Sequence, residues 1–573
     1  MGRRVIASGE PTRRGHRTQH VRTLLVREPR DLVAGRRGSA LPVRAGKGSN
    51  PKLAMNGDEK SDPPIVAVKP ANETGQPAEE WVEPRGGAEG NANDPHGGRA
   101  RDRETSRLGI ARVRKAARER KGERFTTLLH HVDATLLHQA YHWLKRDAAP
   151  GVDGMTWEVY GEGLEGRLID LESRIHRGAY RAQPSRRVFI PKPDGRQRPL
   201  GIASLEDKIV QRAVVEVLNA IYETDFLGFS YGFRPGRGQH DALDALATGI
   251  ESQRVNWILD ADIKGFFDNL GHEWMMKLVA LRVGDQRVLR LIRKWLTAGV
   301  VGEDGVRQPA TKGTPRRAAG ARNARRAVIS PLLANIYLHY VHDLWAEQWR
   351  RRHARGAMIV VRYADDTVVG FEHKADAERF LADLRIRMAE FDLELHPDKT
   401  RLIAFGRRAA AARAARGEGK PETFNFLGFT HICSRSRKGG FLLARHTRRD
   451  RTMAKLLEIT EDLRRRWHQD SAEQGRWLGT VVRGYLAYHA VPTNAHALSA
   501  FRHHVVELWR RALRRRSQKD RTTWTVMDRL ADRWLPKPRI SHPWPSVRFR
   551  VKHPRWEPYA GIPPVRFCAG GVQ

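Results

Sequence analysis

Cysteine is almost absent from this sequence, since only Cys433 and Cys568 occur among its 573 residues. Two such distant cysteines exclude a disulfide framework, and a Cys-based zinc domain would need closely spaced cysteine pairs. A reducing, cytoplasmic environment is the resulting expectation. No apolar run approaches the roughly 20 residues of a membrane span, and the Arg-rich beginning of the chain lacks the apolar core of a signal peptide. These absences exclude an integral membrane protein.

Acidic residues are few relative to basic ones. Lys and Arg number 103 against 65 Asp and Glu, which gives a formal net charge of +38. An enzyme of small metabolites rarely needs such an excess, whereas it suits a protein that binds a polyanion, either nucleic acid or an anionic membrane surface. Because 40% of the residues are hydrophobic, the chain can also build a sizeable core.

Composition divides the chain into four regions. Residues 1–105 are rich in Gly, Pro, Arg and Asn, which predicts a disordered basic extension, within which Met55 is a possible true translation start. Residues 106–445 interleave β segments with helices, which predicts an α+β fold. Residues 446–535 are strongly basic and have the periodicity of a small helical bundle. Residues 536–573 are predicted to form an irregular tail rich in Pro and Trp.

The sharpest chemical signal is the pair of adjacent aspartates in Tyr363-Ala364-Asp365-Asp366. Apolar residues at 358–361 precede this motif and Val368-Val369 follows it, which predicts a hairpin with two carboxylates at its tip. Taken alone, such a pair is usually a solvated turn. Adjacent aspartates repel each other, however, and a bound divalent cation would remove that cost.

A second acidic strand end lies upstream, within residues 257–263. The alternation of a β-strand places Asp260 and Asp262 on one face and apolar residues on the other. If the two strand ends meet, three carboxylates can surround two Mg²⁺ ions, which bind through a few carboxylates plus substrate phosphates. Two such ions can activate a 3′ hydroxyl and stabilise the leaving oxygen in phosphoryl transfer. On a chain of this charge, the combined pattern favours a nucleotidyltransferase.

The acidic motifs and the blocks around them resemble the bacterial group II intron-encoded reverse transcriptase/maturases. The likeness extends from about Phe125 to the C-terminus. Besides the Tyr363-Ala364-Asp365-Asp366 motif, the blocks that carry it are residues 149–154, 190–202, 229–236, 262–269, 329–338, 396–400, 426–429 and 477–485. The resemblance implies a right-hand polymerase with fingers and palm in residues 106–445, followed by a helical thumb/maturase domain in residues 446–535.

The resemblance also assigns roles to site residues. The catalytic, metal-binding triad would be Asp262, Asp365 and Asp366, with two Mg²⁺ ions as cofactor. Asp260 is a lesser candidate because it shares the face of Asp262.

Three further residues would contact the incoming deoxynucleoside triphosphate. Lys192 and Arg198, on the fingers strands, would bind its phosphates, a Lys as a point charge and an Arg as a bidentate donor. Phe267 would pack under the sugar, where its ring leaves no room for a 2′ hydroxyl. Solvated hairpin charges and ordinary core packing are the respective alternatives.

The thumb/maturase region contains a dense run of arginines, which predicts contact with RNA through a basic helix face. The residues of this run are Arg510, Arg511, Arg514, Arg515 and Arg516. The implied partners are the group II intron RNA that encodes the protein, template RNA, primer DNA and deoxynucleoside triphosphates, without a membrane. The protein would assist splicing and support target-primed reverse transcription in the bacterial cytoplasm. The oligomeric state stays open.

Two departures from the family pattern leave alternatives. Relatives usually carry a short Gln-Gly-Gly between Gly313-Thr314-Pro315 and Val328, whereas here residues 316–327 form a longer Arg/Ala insert. Its position beside the nucleotide and primer favours a splicing cofactor that binds RNA but polymerises poorly. A stand-alone reverse transcriptase without an intron is the other alternative. The two cysteines cannot build the nuclease domain of many relatives, so cleavage of the second DNA strand is not expected.

Overall fold

The computed structural model describes residues 97–191, 197–302, 305–308, 327–516 and 522–552. Three sequence expectations concern residues that lie wholly or mostly outside these ranges. They are the disordered extension 1–105, the phosphate contact of Lys192 and the insert 316–327. The described end of the extension belongs to the first helix, which begins at Gly97.

Helices and strands alternate through most of the described chain. The helices are α1 Gly97–Glu119, α2 Ala134–His142, α3 Trp157–Gly161, α4 Leu164–His176, α5 Leu205–Tyr222, α6 Gln239–Ser252, α7 Phe266–Asn269, α8 His272–Val279, α9 Gln286–Thr297, α10 Ser330–Leu338, α11 Leu344–His353, α12 Lys374–Glu390, α13 Arg407–Ala415, α14 Arg449–Arg465, α15 Ser471–His489, α16 Ala495–Arg514, α17 Trp524–Trp534 and α18 Pro545–Lys552. A π-helical segment, His339–Asp343, joins α10 to α11. None of these described helices is both long and apolar enough to cross a membrane.

The strands form three sheets within the described ranges. The strands are β1 Ser185–Pro191, β2 Gln197–Ile202, β3 Trp257–Ala261, β4 Val300–Val301, β5 Arg307–Gln308, β6 Met358–Tyr363, β7 Asp366–Phe371, β8 Arg401–Ala404, β9 Phe424–Phe426, β10 Phe429–Arg435 and β11 Phe441–Thr447. The sheet orders are β2-β1-β4-β5, β11-β10-β9 and β6-β7-β3-β8. The mixed helix and sheet class expected from the sequence is confirmed.

The β6-β7-β3-β8 sheet is antiparallel throughout and is covered on both faces. Alternate residues of β6 enter different hydrophobic clusters, because successive side chains of a strand point to opposite faces. Met358 and Val360 join the larger cluster, which contains α5 and α10, while Ile359 and Val361 join a second cluster with α6 and β9–β11. Burial on both faces gives the end of this sheet a rigid base.

A second hairpin lies upstream of this sheet. β1 pairs with β2 in antiparallel register, with Ile190 opposite Arg198. Helix α5 follows directly, and its N-terminus is capped by Ser204, whose Oγ accepts a hydrogen bond from the Asp207 amide.

The C-terminal helices α14, α15, α16 and α17 share a third hydrophobic cluster, which includes Leu463, Leu478 and Trp509. They lie within residues 446–535, where apolar periodicity predicts a small helical bundle. Part of the tail predicted to be irregular is helical instead, because α18 packs against α6. Arg548 of α18 donates hydrogen bonds to Asp244 and to the His240 carbonyl, which attach this part of the tail to α6.

Candidate active site

The two adjacent aspartates lie at the end of the β6–β7 hairpin. Tyr363 pairs with Asp366, so Ala364 and Asp365 form a two-residue turn between the strands. Ala364 has a φ of 56°, in the left-handed region that residues other than glycine rarely adopt. The hairpin predicted from the sequence is therefore present, with Asp365 in its turn and Asp366 as the first residue of β7.

Asp262 follows β3, the strand that pairs with β7. Because Ala261 is the partner of Thr367, the chain reaches Asp262 beside the start of β7, where Asp366 stands. The Asp262 carbonyl accepts a hydrogen bond from the His396 amide at 2.7 Å, and the Asp262 amide lies 3.4 Å from the Thr400 hydroxyl. The 396–400 segment thus fixes the backbone of Asp262. The sheet brings Asp262, Asp365 and Asp366 to one end.

Crowding of acidic groups is the main electrostatic feature of this end. Enclosure among protein atoms raises the pKa of Asp366 above its ordinary value, and the negative charges of Asp365, Asp262 and Asp260 raise it further. Asp366 is nevertheless exposed to solvent as a residue, which weakens the effect of enclosure and leaves the nearby negative charges as the main cause of the raised pKa. A cation at this position would relieve the repulsion.

Asp260, the lesser candidate, lies further back along β3. It stands opposite Val368 and Arg401 in the two neighbouring strands. Burial, opposed by the charge of Arg401, raises the pKa of Asp260 to about 6. It contributes to the acidic field around Asp262 without lying at the strand end.

The donor set at the strand ends suits Mg²⁺, which prefers carboxylate oxygens. Among the described residues, no group of three or more His, Cys, Asp or Glu side chains is arranged so that it could hold a metal ion as it stands. In this structure the Asp262 carboxylate pairs instead with the ammonium of Lys399, at 3.1 Å between Oδ2 and Nζ. The charge and chemistry of the three aspartates fit a divalent cation.

The nucleotide-contacting candidates are only partly visible. Arg198 belongs to β2 through its backbone, while Lys192 lies outside the described residues. Phe267 is half-buried in the short helix α7 and packs against the main core. Its ring meets that of Phe266 edge-on, with 5.1 Å between centroids. Phe267 therefore has one side in the core and part of its surface open.

The five arginines predicted to form one basic face differ in their exposure. Arg510 is half-buried: its guanidinium lies 4.5 Å from the ring centroid of Trp524, and its Nε donates to the Thr522 carbonyl at 3.2 Å. Arg516 is also half-buried. The remaining three, Arg511, Arg514 and Arg515, are exposed, and Arg511 forms an ion pair with Glu507 at 2.5 Å.

Two residues of the site were missed as functional candidates. Lys399 was noted only as part of a motif, yet it pairs with Asp262, and its positive charge partly offsets the rise in the pKa of Asp366. Arg362 directly precedes the acidic motif and is fully buried. Its signal was visible in the sequence, because it is the one charged residue in the otherwise apolar strand β6.

Comparison with known proteins agrees with this arrangement. Residues 190–431 match the family described as reverse transcriptase (RNA-dependent DNA polymerase). Protein YkfC of Escherichia coli is 33% identical over 306 residues, which cover 47% of this chain and 78% of YkfC. The group II intron-encoded protein LtrA of Lactococcus lactis is 33% identical over 232 residues, which cover 40% of this chain and 37% of LtrA.

A third relative is named after the intron in which it is found. The uncharacterized 91 kDa protein in the cob intron of Schizosaccharomyces pombe is 37% identical over 208 residues, or 36% of this chain and 24% of that protein. The matched segments thus cover less than half of LtrA, less than half of the 91 kDa protein and less than half of this chain. In this chain, the acidic residues lie at the strand ends of the β6-β7-β3-β8 sheet, and the residues that match the reverse transcriptase family include them. The chain belongs to the reverse transcriptase family, is homologous to group II intron-encoded proteins, and is an RNA-directed DNA polymerase.

Proposed function

We propose that this chain is a group II intron-encoded reverse transcriptase and maturase. It binds its intron RNA, assists splicing, and copies RNA into DNA by target-primed reverse transcription. The observation that carries the polymerase part is the meeting of Asp262 with Asp365 and Asp366 at one end of the β6-β7-β3-β8 sheet. The likeness to LtrA supports the intron part. The protein would assist splicing and copy RNA in the bacterial cytoplasm.

In the proposed mechanism, Asp262, Asp365 and Asp366 would hold two Mg²⁺ ions. When bound, these ions supply Lewis acidity at the primer 3′ hydroxyl and at the leaving oxygen. The buried hairpin keeps Asp365 and Asp366 in place, and the 396–400 segment keeps Asp262 in place. Lys399 balances part of the negative charge around Asp262.

The proposed nucleotide site lies between the fingers and this acidic end. Lys192 and Arg198 bind the triphosphate, and the open part of Phe267 packs under the sugar. In this proposal residues 106–445 form fingers and palm, and residues 446–535 form the thumb/maturase domain.

Shrinking Phe267 tests the sugar contact. We expect Phe267→Ala to raise the incorporation of ribonucleotides relative to deoxyribonucleotides, because the smaller side chain leaves room for a 2′ hydroxyl. The measurement is the ratio of kcat/KM for the two substrates in primer extension on an RNA template. Phe266→Leu is the matched control, since Phe266 is the buried ring of the pair. An unchanged ratio with lower thermal stability would show that Phe267 only packs the core.

The proposed RNA surface lies on α16 and α17. Trp524 is 41% exposed, with the Arg510 guanidinium over its ring and the His503 ring nearly parallel to it, at 6.2 Å between centroids. A cavity of about 370 Å³ beside them is also lined by Arg502 and Lys537. Aromatic rings flanked by cations favour stacking with unpaired bases, and exposed arginines favour phosphate contacts.

Salt dependence tests this RNA surface. We expect the affinity for the intron RNA to fall steeply with ionic strength, because each phosphate contact releases counterions. Replacing Arg511, Arg514 and Arg515 together with Gln should flatten the slope of log Kd against log salt by up to about one unit per lost contact. The measurement is filter binding of the full chain to its intron RNA at several salt concentrations.

A matched variant separates this surface from general basic charge. Arg290, Arg293 and Arg385 are likewise exposed but lie on α9 and α12, so their replacement with Gln removes the same charge elsewhere. Equal flattening by both triple variants, or an affinity insensitive to salt, would contradict the proposed surface.

Sequencing the DNA that flanks the gene distinguishes an intron-encoded protein from a stand-alone reverse transcriptase, because the gene of an intron-encoded protein would be enclosed by sequences for intron RNA domains.

A further inference from the structure

Arg362 is a fully buried charge at the end of an apolar strand. It occupies the fifth position of β6, two residues before the Ala364-Asp365 turn, and its side chain has no exposed surface. Burying a guanidinium is unfavourable unless every donor finds a partner and the charge is balanced. A buried arginine at this position therefore calls for a specific set of contacts.

The Arg362 guanidinium has five N–H donors, and each has an acceptor. Nε donates to Asp343 Oδ1 at 2.7 Å, and one terminal nitrogen donates to Asp343 Oδ2 at 2.6 Å and to Ser230 Oγ at 2.7 Å. The other terminal nitrogen donates to Asn335 Oδ1 at 3.1 Å and to the Ala364 carbonyl at 2.8 Å. Five short contacts thus fix the orientation of the guanidinium plane.

Asp343 anchors this guanidinium to the helical layer. It is the last residue of the π-helical segment and is fully buried. Burial alone would raise its pKa, but the charge of Arg362 and hydrogen bonds from His342 and Arg362 hold the pKa of Asp343 below its usual range. Asp343 is therefore an ionised partner, bound through both oxygens.

The other contacts reach the turn that holds Asp365. The Ala364 carbonyl accepts from Arg362, and Ala364 itself has the left-handed φ of 56°. Gly232 packs against this turn so closely that a Cβ there would lie 2.4 Å from the Ala364 nitrogen. Asn335 links the two sides, because its Nδ2 donates to the Gly232 carbonyl at 2.7 Å while its Oδ1 accepts from Arg362.

We propose that Arg362 is a positioning residue for catalysis. Its guanidinium holds the Ala364 carbonyl, and with it the left-handed turn, at a fixed distance from the Asp343 anchor. Asp365 lies in that turn and Asp366 follows it, so the contact sets where both carboxylates stand relative to Asp262. Lysine cannot replace it, because an ammonium has three donors and no planar fork.

The test is Arg362→Lys in the full chain, assayed by primer extension. We expect primer–template affinity close to wild type and a kcat about 10- to 100-fold lower, because a misplacement near 1 Å can cost about a hundredfold in rate. The Mg²⁺ concentration for half-maximal activity should rise, because the carboxylates no longer stand in one arrangement. A purely structural role would not move this Mg²⁺ midpoint.

Arg445→Lys is the matched control. Arg445 is 2% exposed and pairs with the buried Asp244 of α6 at 3.0 Å, so its replacement also weakens a buried ion pair. This ion pair, however, does not involve the turn that contains Asp365. We expect a loss of thermal stability in both variants, and a changed kcat and Mg²⁺ midpoint in Arg362→Lys alone. The same kinetic change in both variants would overturn the proposal.

Asn335→Ala tests the positioning role of Arg362 if the Arg362→Lys variant does not fold. It removes one acceptor from the guanidinium and the link to Gly232, yet it leaves the ion pair with Asp343 intact. We expect a several-fold lower kcat with a raised Mg²⁺ midpoint. Wild-type kcat and midpoint in the folded variant of either residue would overturn the positioning role.

Discussion

DNA synthesis is expected to be lost when either Asp365 or Asp366 is replaced with Asn. Each change keeps the shape of the side chain but removes a negative charge from the end of the hairpin, where metal ions need carboxylate oxygens. We expect a fall in kcat of at least about a hundredfold to a thousandfold, the size seen when a main electrostatic stabiliser is removed. The measurement is primer extension on an RNA template with Mg²⁺.

Two further readouts separate lost chemistry from lost structure. Affinity for intron RNA should stay at the wild-type value, because the proposed RNA surface lies on α16 and α17. Mg²⁺ should raise the unfolding temperature of the wild type and should do so less in Asp365→Asn and Asp366→Asn, because ligand binding stabilises the folded state. Asp366→Asn should also be more stable than the wild type without Mg²⁺, since it relieves repulsion among like charges.

Asp398→Asn is the matched control for the loss of one acidic group. Asp398 lies in the 396–400 segment that holds Asp262, but its own side chain is 87% exposed. Its replacement should leave synthesis near the wild-type rate. Strong polymerase activity in both Asp365→Asn and Asp366→Asn would remove these residues from the proposed triad.

The hairpin could be predicted from sequence because its signals are local. Two apolar strands around a short acidic turn determine a two-residue connection with little help from the rest of the chain. The meeting of β3 with β7 is not local, since about a hundred residues separate Asp262 from Asp366. Alternation along β3 predicted which face of the strand carries Asp262. That Asp262 lies beside Asp365 and Asp366 was predicted from the resemblance to a known family.

Contacts that join distant segments escaped prediction for the same reason. The acceptors of Arg362 come from residues 230, 335, 343 and 364, and no periodic pattern connects these positions. The return of α18 to α6 through Arg548 and Asp244 is equally non-local. The single charged residue in the apolar strand β6 indicates a buried polar network. It does not indicate which residues form that network.

The arginines at the end of α16 show what a sequence pattern leaves out. At about 100° per residue, Arg510, Arg511, Arg514 and Arg515 fall within about 140° of the helix circumference, so the pattern predicts one basic face. Exposure depends also on what packs against that face: Arg510 lies over Trp524 and is half-buried, while Arg514 and Arg515 are exposed. The contact with Trp524 joins two helices, and no periodic signal in the sequence predicts it.

The insert of residues 316–327 is expected to slow the polymerase. By the resemblance to group II intron-encoded proteins, it replaces a short Gln-Gly-Gly in a block expected beside the nucleotide and primer, and it adds several positive charges. Loop-closure entropy grows slowly with length, so the fold should tolerate the insert. Its downstream flank is well held, since the Ile329 amide lies 3.4 Å from Gln211 Oε1 of α5 and Ile329 is buried. The expected cost is therefore in the geometry of the nucleotide site rather than in stability.

Replacing residues 316–327 with Gln-Gly-Gly should raise the rate of DNA synthesis by about an order of magnitude or more, because a misplacement near 1 Å at a reacting centre can cost about a hundredfold. The test is primer extension by both proteins at equal concentration, with intron RNA affinity measured alongside. A Gly/Ser segment of equal length in place of the insert separates charge from length. If length is responsible, that variant stays slow, and if the arginines are responsible, it becomes fast. A natural chain already as fast as the Gln-Gly-Gly variant would show that the insert leaves the nucleotide site undisturbed, and the splicing cofactor with impaired polymerase would lose its main support.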